Sequence, residues 1–184
     1  MKPIAKVAAL LAVSLGTTFA QQAKPAGGGA SVAFSLTSSA FRPGAEIPPQ
    51  YSCKGADTSP ALEWNGGPAH VASFALIMDD PDAPAGTWVH WVLWNLPANA
   101  HSLQEGVPKR EQLDDGAQQG RNSFHKAGYN GPCPPAGATH RYFFRLYALD
   151  GKLDLAAGAS RSQLDAAMKG HVLAVTEYMG TFHK

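Results

Sequence analysis

The chain of 184 residues carries 15 Lys and Arg against 14 Asp and Glu, a formal net charge of +1 at pH 7. That balance excludes the broad basic field on which non-specific nucleic-acid binding depends, and no Lys or Arg cluster supplies one locally. Its 14 prolines and 19 glycines punctuate short apolar runs, which excludes a long-helix architecture and favours strands joined by turns.

Residues 1–20 read as a secretory signal: Lys2 and Lys6 come first, an apolar run from Val7 to Leu15 follows, and small residues lead to Ala20. The run is too short for a bilayer span, which needs about 20 apolar residues. Cleavage after Ala20 would leave no transmembrane anchor and an exported chain, periplasmic or secreted, of net charge −1. Residues 21–30, "QQAKPAGGGA", have no apolar periodicity and read as a flexible linker. One domain is expected over residues 31–184, within the usual size for a single core.

Within that domain Val32 to Leu36 alternates, with Val32, Phe34 and Leu36 on one face. Val71 to Met78 is almost continuously apolar, as a central strand covered on both sides would be. Trp88 to Asn95 and His140 to Leu149 are rich in aromatic and β-branched residues and read as strands. Residues 98–137 are polar and rich in Gly and Pro, with no convincing element. Ser160 and Gln163 have capping-box spacing, Leu164, Met168 and His171 follow on a helical period, and Gly170 is a stop. A last strand is expected from Val172 to Tyr178. Cys53 and Cys133 make an even pair in an exported chain, for which a disulfide is the default and two free thiols beside a pocket the alternative.

The chemistry-bearing residues concentrate around "LIMDDPDAPAGTWVHWVLWNLP", residues 76–97. Strict strand alternation places His90 on one face with Trp88, Val92 and Trp94, and places His140, Tyr142, Phe144 and Leu146 together on another strand. If both rows meet in one core, His90, His140 and Tyr142 converge at its end. Taken singly, His90 is as well explained as a core histidine, "DPDAPAG" as a capped turn, and Arg141 and Arg145 as surface ion-pair groups.

"DPDAP", "HW" within a strand, and "GYNGPCPPAGATHRYFFRLYAL", supported by "YSCKGADTSPALEW" and "LPANAHSLQEG", together resemble the phosphatidylethanolamine-binding protein family, in its bacterial Raf kinase inhibitor-like branch. The resemblance runs from about Phe34 to the end. It implies a mainly β fold of two antiparallel sheets with a few peripheral helices, and a small anion pocket at one end of the central sheet. Carried over by motif, the ligand-binding residues are Asp80, Asp82, Pro84, His90, Gly131, Pro132, Pro134, His140 and Tyr142. Protonated His90 or His140, the Tyr142 hydroxyl and loop N–H groups would donate to a phosphoryl group. Asp80 would orient a histidine or accept from an ammonium.

The implied partner is an anionic or zwitterionic small molecule or phospholipid head group such as phosphoethanolamine, with no cofactor, no metal and no catalytic residue. Two rivals stand beside it: a modulator that binds a protein through the same pocket, and a hydrolase built on Asp80, Asp82, His90 and His140. The hydrolase lacks support from HExxH or GxSxG. The chain departs from the family pattern at "NSFH", where His125 stands in place of an expected glycine and adds a titratable group near the pocket loop. It has no clear counterpart of the eukaryotic C-terminal helix. His70, His101, His171 and His183 are assigned surface or structural roles.

Overall fold

Every residue from Ser73 to Asp80 is buried in the computed structural model, which describes residues 33–184. The apolar run predicted for this strand has the composition that two covered faces require. In chain order the elements are β1 (Ser35–Thr37), a short 3-10 turn (Pro49–Tyr51), β2 (Leu62–Asn65), β3 (Ser73–Asp80), β4 (Trp88–Pro97), β5 (Ser102–Leu103), β6 (Gln118–Gln119), β7 (Thr139–Leu149), α1 (Arg161–Met168) and β8 (Val172–His183). The signal and linker readings, and Val32 of the first expected strand, lie outside the described residues.

Two antiparallel sheets result, as expected: a large one ordered β6-β4-β3-β7-β8 and a small one ordered β1-β2-β5. β3 is the middle strand of the large sheet, so its two faces serve two cores. Leu76 and Met78 pack with Leu36, Trp64, Tyr142 and Phe144 on the side of the small sheet. Ala75 and Ile77 pack with Val92, Trp94, Leu164 and Met168 on the side of α1. Each large side chain fully buried this way stabilises by about 1.5–3 kcal/mol.

The helix begins where its capping box predicts. Ser160 accepts from the Gln163 N–H, and the Gln163 side chain accepts from the Ser160 N–H. It ends at Met168, so His171 falls beyond it and pairs instead with Asp150. β8 runs to His183 rather than Tyr178, because it stays paired with β7 from Val172↔Leu149 to His183↔Thr139. The long segment between β4 and β7 holds only two two-residue strands and irregular turns, held in part by distant partners: Leu103 pairs with Leu62, Gln119 pairs with Leu93, and the Tyr129 hydroxyl donates to the Tyr51 carbonyl.

Two irregularities in β4 matter more than its length. The register passes from Phe74↔Leu96 to Leu76↔Leu93, and from Met78↔Trp91 to Asp79↔Val89. Each step inserts an extra β4 residue, the first near Asn95, which takes φ 58, the second at His90. A bulge interrupts the two-residue alternation and re-aims a side chain. Trp91 and Leu93 therefore face the small sheet, Val92 and Trp94 face α1, and His90 leaves the Val92 and Trp94 row on which strict alternation placed it.

The disulfide is formed between Cys53 and Cys133, whose Cα atoms lie 5.4 Å apart across a sequence separation of 80. Closing a loop of this length stabilises by about 4–5 kcal/mol on chain-entropy reasoning. It ties the segment after the 3-10 turn to the loop before β7, where the Cys53 N–H also donates to the Pro132 carbonyl at 3.1 Å.

In the "NSFH" turn the Asn122 Oδ1 accepts from the N–H groups of Phe124 and Lys126, and the His125 N–H donates to the Asn122 carbonyl. This closes the turn only with His125 at φ 59, in the left-handed region that glycine enters without penalty. The expected glycine thus has a steric reason. Replacing His125 by Gly removes a cost of about 1–2 kcal/mol and adds unfolded-state entropy of about 0.5–1 kcal/mol. His125→Gly is expected to raise stability by up to about 1.5 kcal/mol, read as a higher urea midpoint at unchanged slope.

Candidate functional site

At the end of β3, alternation sends two adjacent acids to opposite faces. Asp79 turns toward α1, where Arg145 of β7 and Arg161 of the helix bind its two oxygens. Asp80 turns the other way. Its Oδ1 accepts from the Asp82 N–H at 2.8 Å, and its Oδ2 accepts from the Nδ1–H of His140 at 2.8 Å. The first bond closes the turn that starts "DPDAP"; the second joins β3 to β7 across the sheet end. Asp80 is only 3% exposed, so this neighbourhood must answer its charge.

His90 reaches the same place through the bulge. Its ring stands edge-on to Tyr142, with centroids 5.2 Å apart, and edge-on to Phe124 at 5.4 Å. The Nδ1–H donates to the Asn130 carbonyl at 2.7 Å. Burial pushes the His90 pKa below its ordinary value, against the raising effect of the Asn130 carbonyl and Asp80. The imidazole is therefore neutral near pH 7, and its Nε2 presents a lone pair. Of the two histidines expected to donate when protonated, His90 is in this state placed to accept at Nε2.

A cavity of about 380 Å³ opens over these groups. Asp80, His90 and His140 form its polar wall, with Pro84 and Pro134 among the expected residues that line it. Ala83, Ala85, Trp88, Phe124, Cys133 and Pro135 complete a mostly apolar rim, and Lys184 adds an ammonium at its edge, 3.5 Å from the Cys133 sulfur. Lys184 and Phe124 were not singled out in the sequence. Lys184 follows from the β7–β8 register once β8 is carried past Tyr178 to His183, opposite Thr139.

Four expected residues lie outside this lining. Asp82 faces outward and takes three bonds from Arg141, through its backbone N–H, Nε and Nη2. Those side-chain bonds, the largest influence, hold the Asp82 carboxyl down at about 2. Gly131 supports the loop, since a Cβ there would strike the Tyr51 carbonyl and the Ser52 Cα. Pro132 contributes its carbonyl to Cys53. Tyr142 is fully buried beneath His90, its hydroxyl unpartnered, and burial together with the nearby Asp80 charge pushes its pKa well above the phenolic norm. His125 is not at this cavity either: it borders a separate, shallow hollow beside the start of α1, with Arg121, Ser160 and Arg161.

The family model of phosphatidylethanolamine-binding proteins matches residues 37–183. The chain belongs to the phosphatidylethanolamine-binding protein family. Among curated relatives, a UPF0098 protein of Methanothermobacter thermautotrophicus is 48% identical over 149 residues, covering 81% of this chain and 98% of that one. A phosphatidylethanolamine-binding protein homologue from Chlamydia trachomatis has a crystal structure with TM-score 0.75 and 43% identity, covering 83% of this chain and 98% of its own. The crystal structure of Escherichia coli YbcL, described as a member of the mammalian family, has TM-score 0.76 at 33% identity, covering 82% and 98%. The family match thus spans the two-sheet fold from Thr37, the last residue of β1, onward and every residue that lines the cavity except Lys184.

Two groups at this end of the sheet give stability the same sign of pH dependence. His90 is depressed below the 6.5 of an unfolded histidine, so unfolding takes up a proton, and stability drains as pH falls below 6.5. Asp82, at about 2 against 3.8 when free, contributes fully above pH 3.8 and loses that contribution as pH falls through about 2. Urea midpoints measured from pH 7 to pH 2 are expected to show a flatter upper slope in His90→Gln and a flatter lower slope in Asp82→Asn, each relative to the parent.

Proposed function

We propose that the chain is an exported binding protein whose cavity takes a phosphorylated head group carrying an ammonium, of the phosphoethanolamine kind. The observation that carries this reading is the division of polar groups around one small, largely apolar cavity. Lys184, and His140 when it is protonated so that its Nε2 also carries a hydrogen, are the groups suited to a phosphoryl oxygen; the Asp80 carboxylate and the bare Nε2 of His90 are suited to N–H donors. A zwitterion answers both sets, whereas a simple anion leaves the Nε2 of His90 without a donor and brings a second negative charge beside Asp80. Trp88, Phe124 and the prolines of the rim would cover the carbon skeleton of such a ligand. Export rests on the form of residues 1–20, and N-terminal sequencing of the protein from its own cell envelope or medium tests it.

No serine, threonine or free thiol is among the residues that line the cavity; its one cysteine, Cys133, is in the disulfide. A nucleophilic hydrolase therefore has less support from this wall than a binding site has.

The test is a thermal-shift titration of the domain from residue 31 with phosphoethanolamine, phosphocholine, phosphate and acetate. Phosphoethanolamine is expected to stabilise saturably, as a ligand of the native state must, with phosphocholine weaker because its quaternary nitrogen has no N–H. Lys184→Ala is expected to weaken phosphate and phosphoethanolamine alike, by about tenfold for loss of one charge-assisted contact. Asp80→Ala and His90→Ala are expected to abolish the phosphoethanolamine shift. A folded parent that responds to none of the four overturns the head-group reading.

A further inference from the structure

We infer that Asp57, which is not part of the cavity wall, is a positioning residue for the pocket: it fixes the Asn130–Gly131 backbone so that His90 is locked with Nδ1 protonated and Nε2 bare. This rests on the head-group reading only for its consequence in binding.

The geometry forms a continuous chain of bonds. The Asp57 Oδ1 accepts from the Gly131 N–H at 2.6 Å, and its Oδ2 accepts from the Asn130 Nδ2 at 3.0 Å and from the Lys109 ammonium at 2.6 Å. One carboxylate thus grips both the side chain and the following peptide of Asn130. The Asn130 carbonyl, held between those two bonds, is the acceptor of the His90 Nδ1–H at 2.7 Å. Asn130 also donates its own N–H to the His90 carbonyl at 3.1 Å, and Asn122 ties the Asn130 Oδ1 and the His90 carbonyl to one amide.

Since a carbonyl can only accept, its placement decides which imidazole nitrogen carries the proton. Asp57 takes φ 56, a left-handed conformation open to glycine without strain. A glycine there would satisfy the turn and leave Asn130 Nδ2 and Gly131 N–H without their acceptor. An asparagine would satisfy one of them at most, because its amide nitrogen would face a donor. Only a carboxylate answers both ends.

The experiment reads the His90 ring directly. Long-range proton–nitrogen spectra of protein carrying nitrogen-15 histidine distinguish a protonated from a bare ring nitrogen. The parent is expected to show Nδ1 protonated and Nε2 bare. Asp57→Asn is expected to give a mixture of both tautomers and about tenfold weaker phosphoethanolamine binding by calorimetry, the size of one lost hydrogen bond at the ligand. Asn130→Ala, which keeps the carbonyl but removes the arm that Asp57 holds, is expected to move the tautomer in the same direction. Lys109→Met is expected to leave it in place.

An Asp57→Asn protein with the parent's far-ultraviolet dichroism and an unchanged His90 tautomer overturns the inference, and if that variant does not fold, an unchanged tautomer in Asn130→Ala does so. If the parent binds no head group, the functional reading falls, while the tautomer comparison still decides the role of Asp57.

Discussion

A strand buried on both faces cannot end in two acids unless each is answered on its own side. β3 is covered along all eight residues and closes with Asp79 and Asp80, and leaving either carboxylate unpaired in such surroundings would cost several kcal/mol. Alternation forces different solutions. Asp79 is met by two guanidiniums, one from β7 and one from α1, so its charge fastens the helix to the sheet. Asp80 is met by a turn N–H and by a histidine. A structural anchor and a cavity wall are thus one residue apart because consecutive strand side chains point to opposite sides.

The fold was largely legible because its signals are local and repeated. β3 showed itself as an unbroken apolar run, β7 as an aromatic one, and α1 by both arms of its capping box. β7 keeps strict alternation from His140 to Leu146, so the predicted row of His140, Tyr142 and Phe144 stands together in the core. β2 was missed because four residues, Leu62–Asn65, are too short for a period to emerge, and its role depends on pairing with distant Leu36 and Leu103.

The site was legible in its identities more than in its geometry. Asp80, His90 and His140 do meet, yet His90 does so by breaking the alternation used to place it. Nothing local in "WVHWV" announces a bulge; it exists because β3 and β4 must stay paired on both sides of that point. Asp82 and Gly131 carry motif identities but serve the loops around the cavity, one through Arg141 and the other through close approach to Tyr51. The state of His90 was equally hidden. A cation is the natural reading of a histidine in an expected anion pocket, but burial reverses it while a backbone carbonyl fixes which nitrogen keeps the proton, and neither can be seen before the chain is folded.

The bulge at His90 also changes what kind of alteration the site can bear. A side chain delivered by regular pairing depends on which residue occupies its position, and its neighbours can vary around it. A side chain delivered by one surplus residue depends on arithmetic as well: between the Met78↔Trp91 and Asp79↔Val89 pairs, β4 must hold one residue more than β3. Shortening or lengthening β4 there by a single residue would leave the composition almost untouched and turn the imidazole away from Tyr142. The cavity is encoded in the spelling of its motifs and also in the count of residues between them.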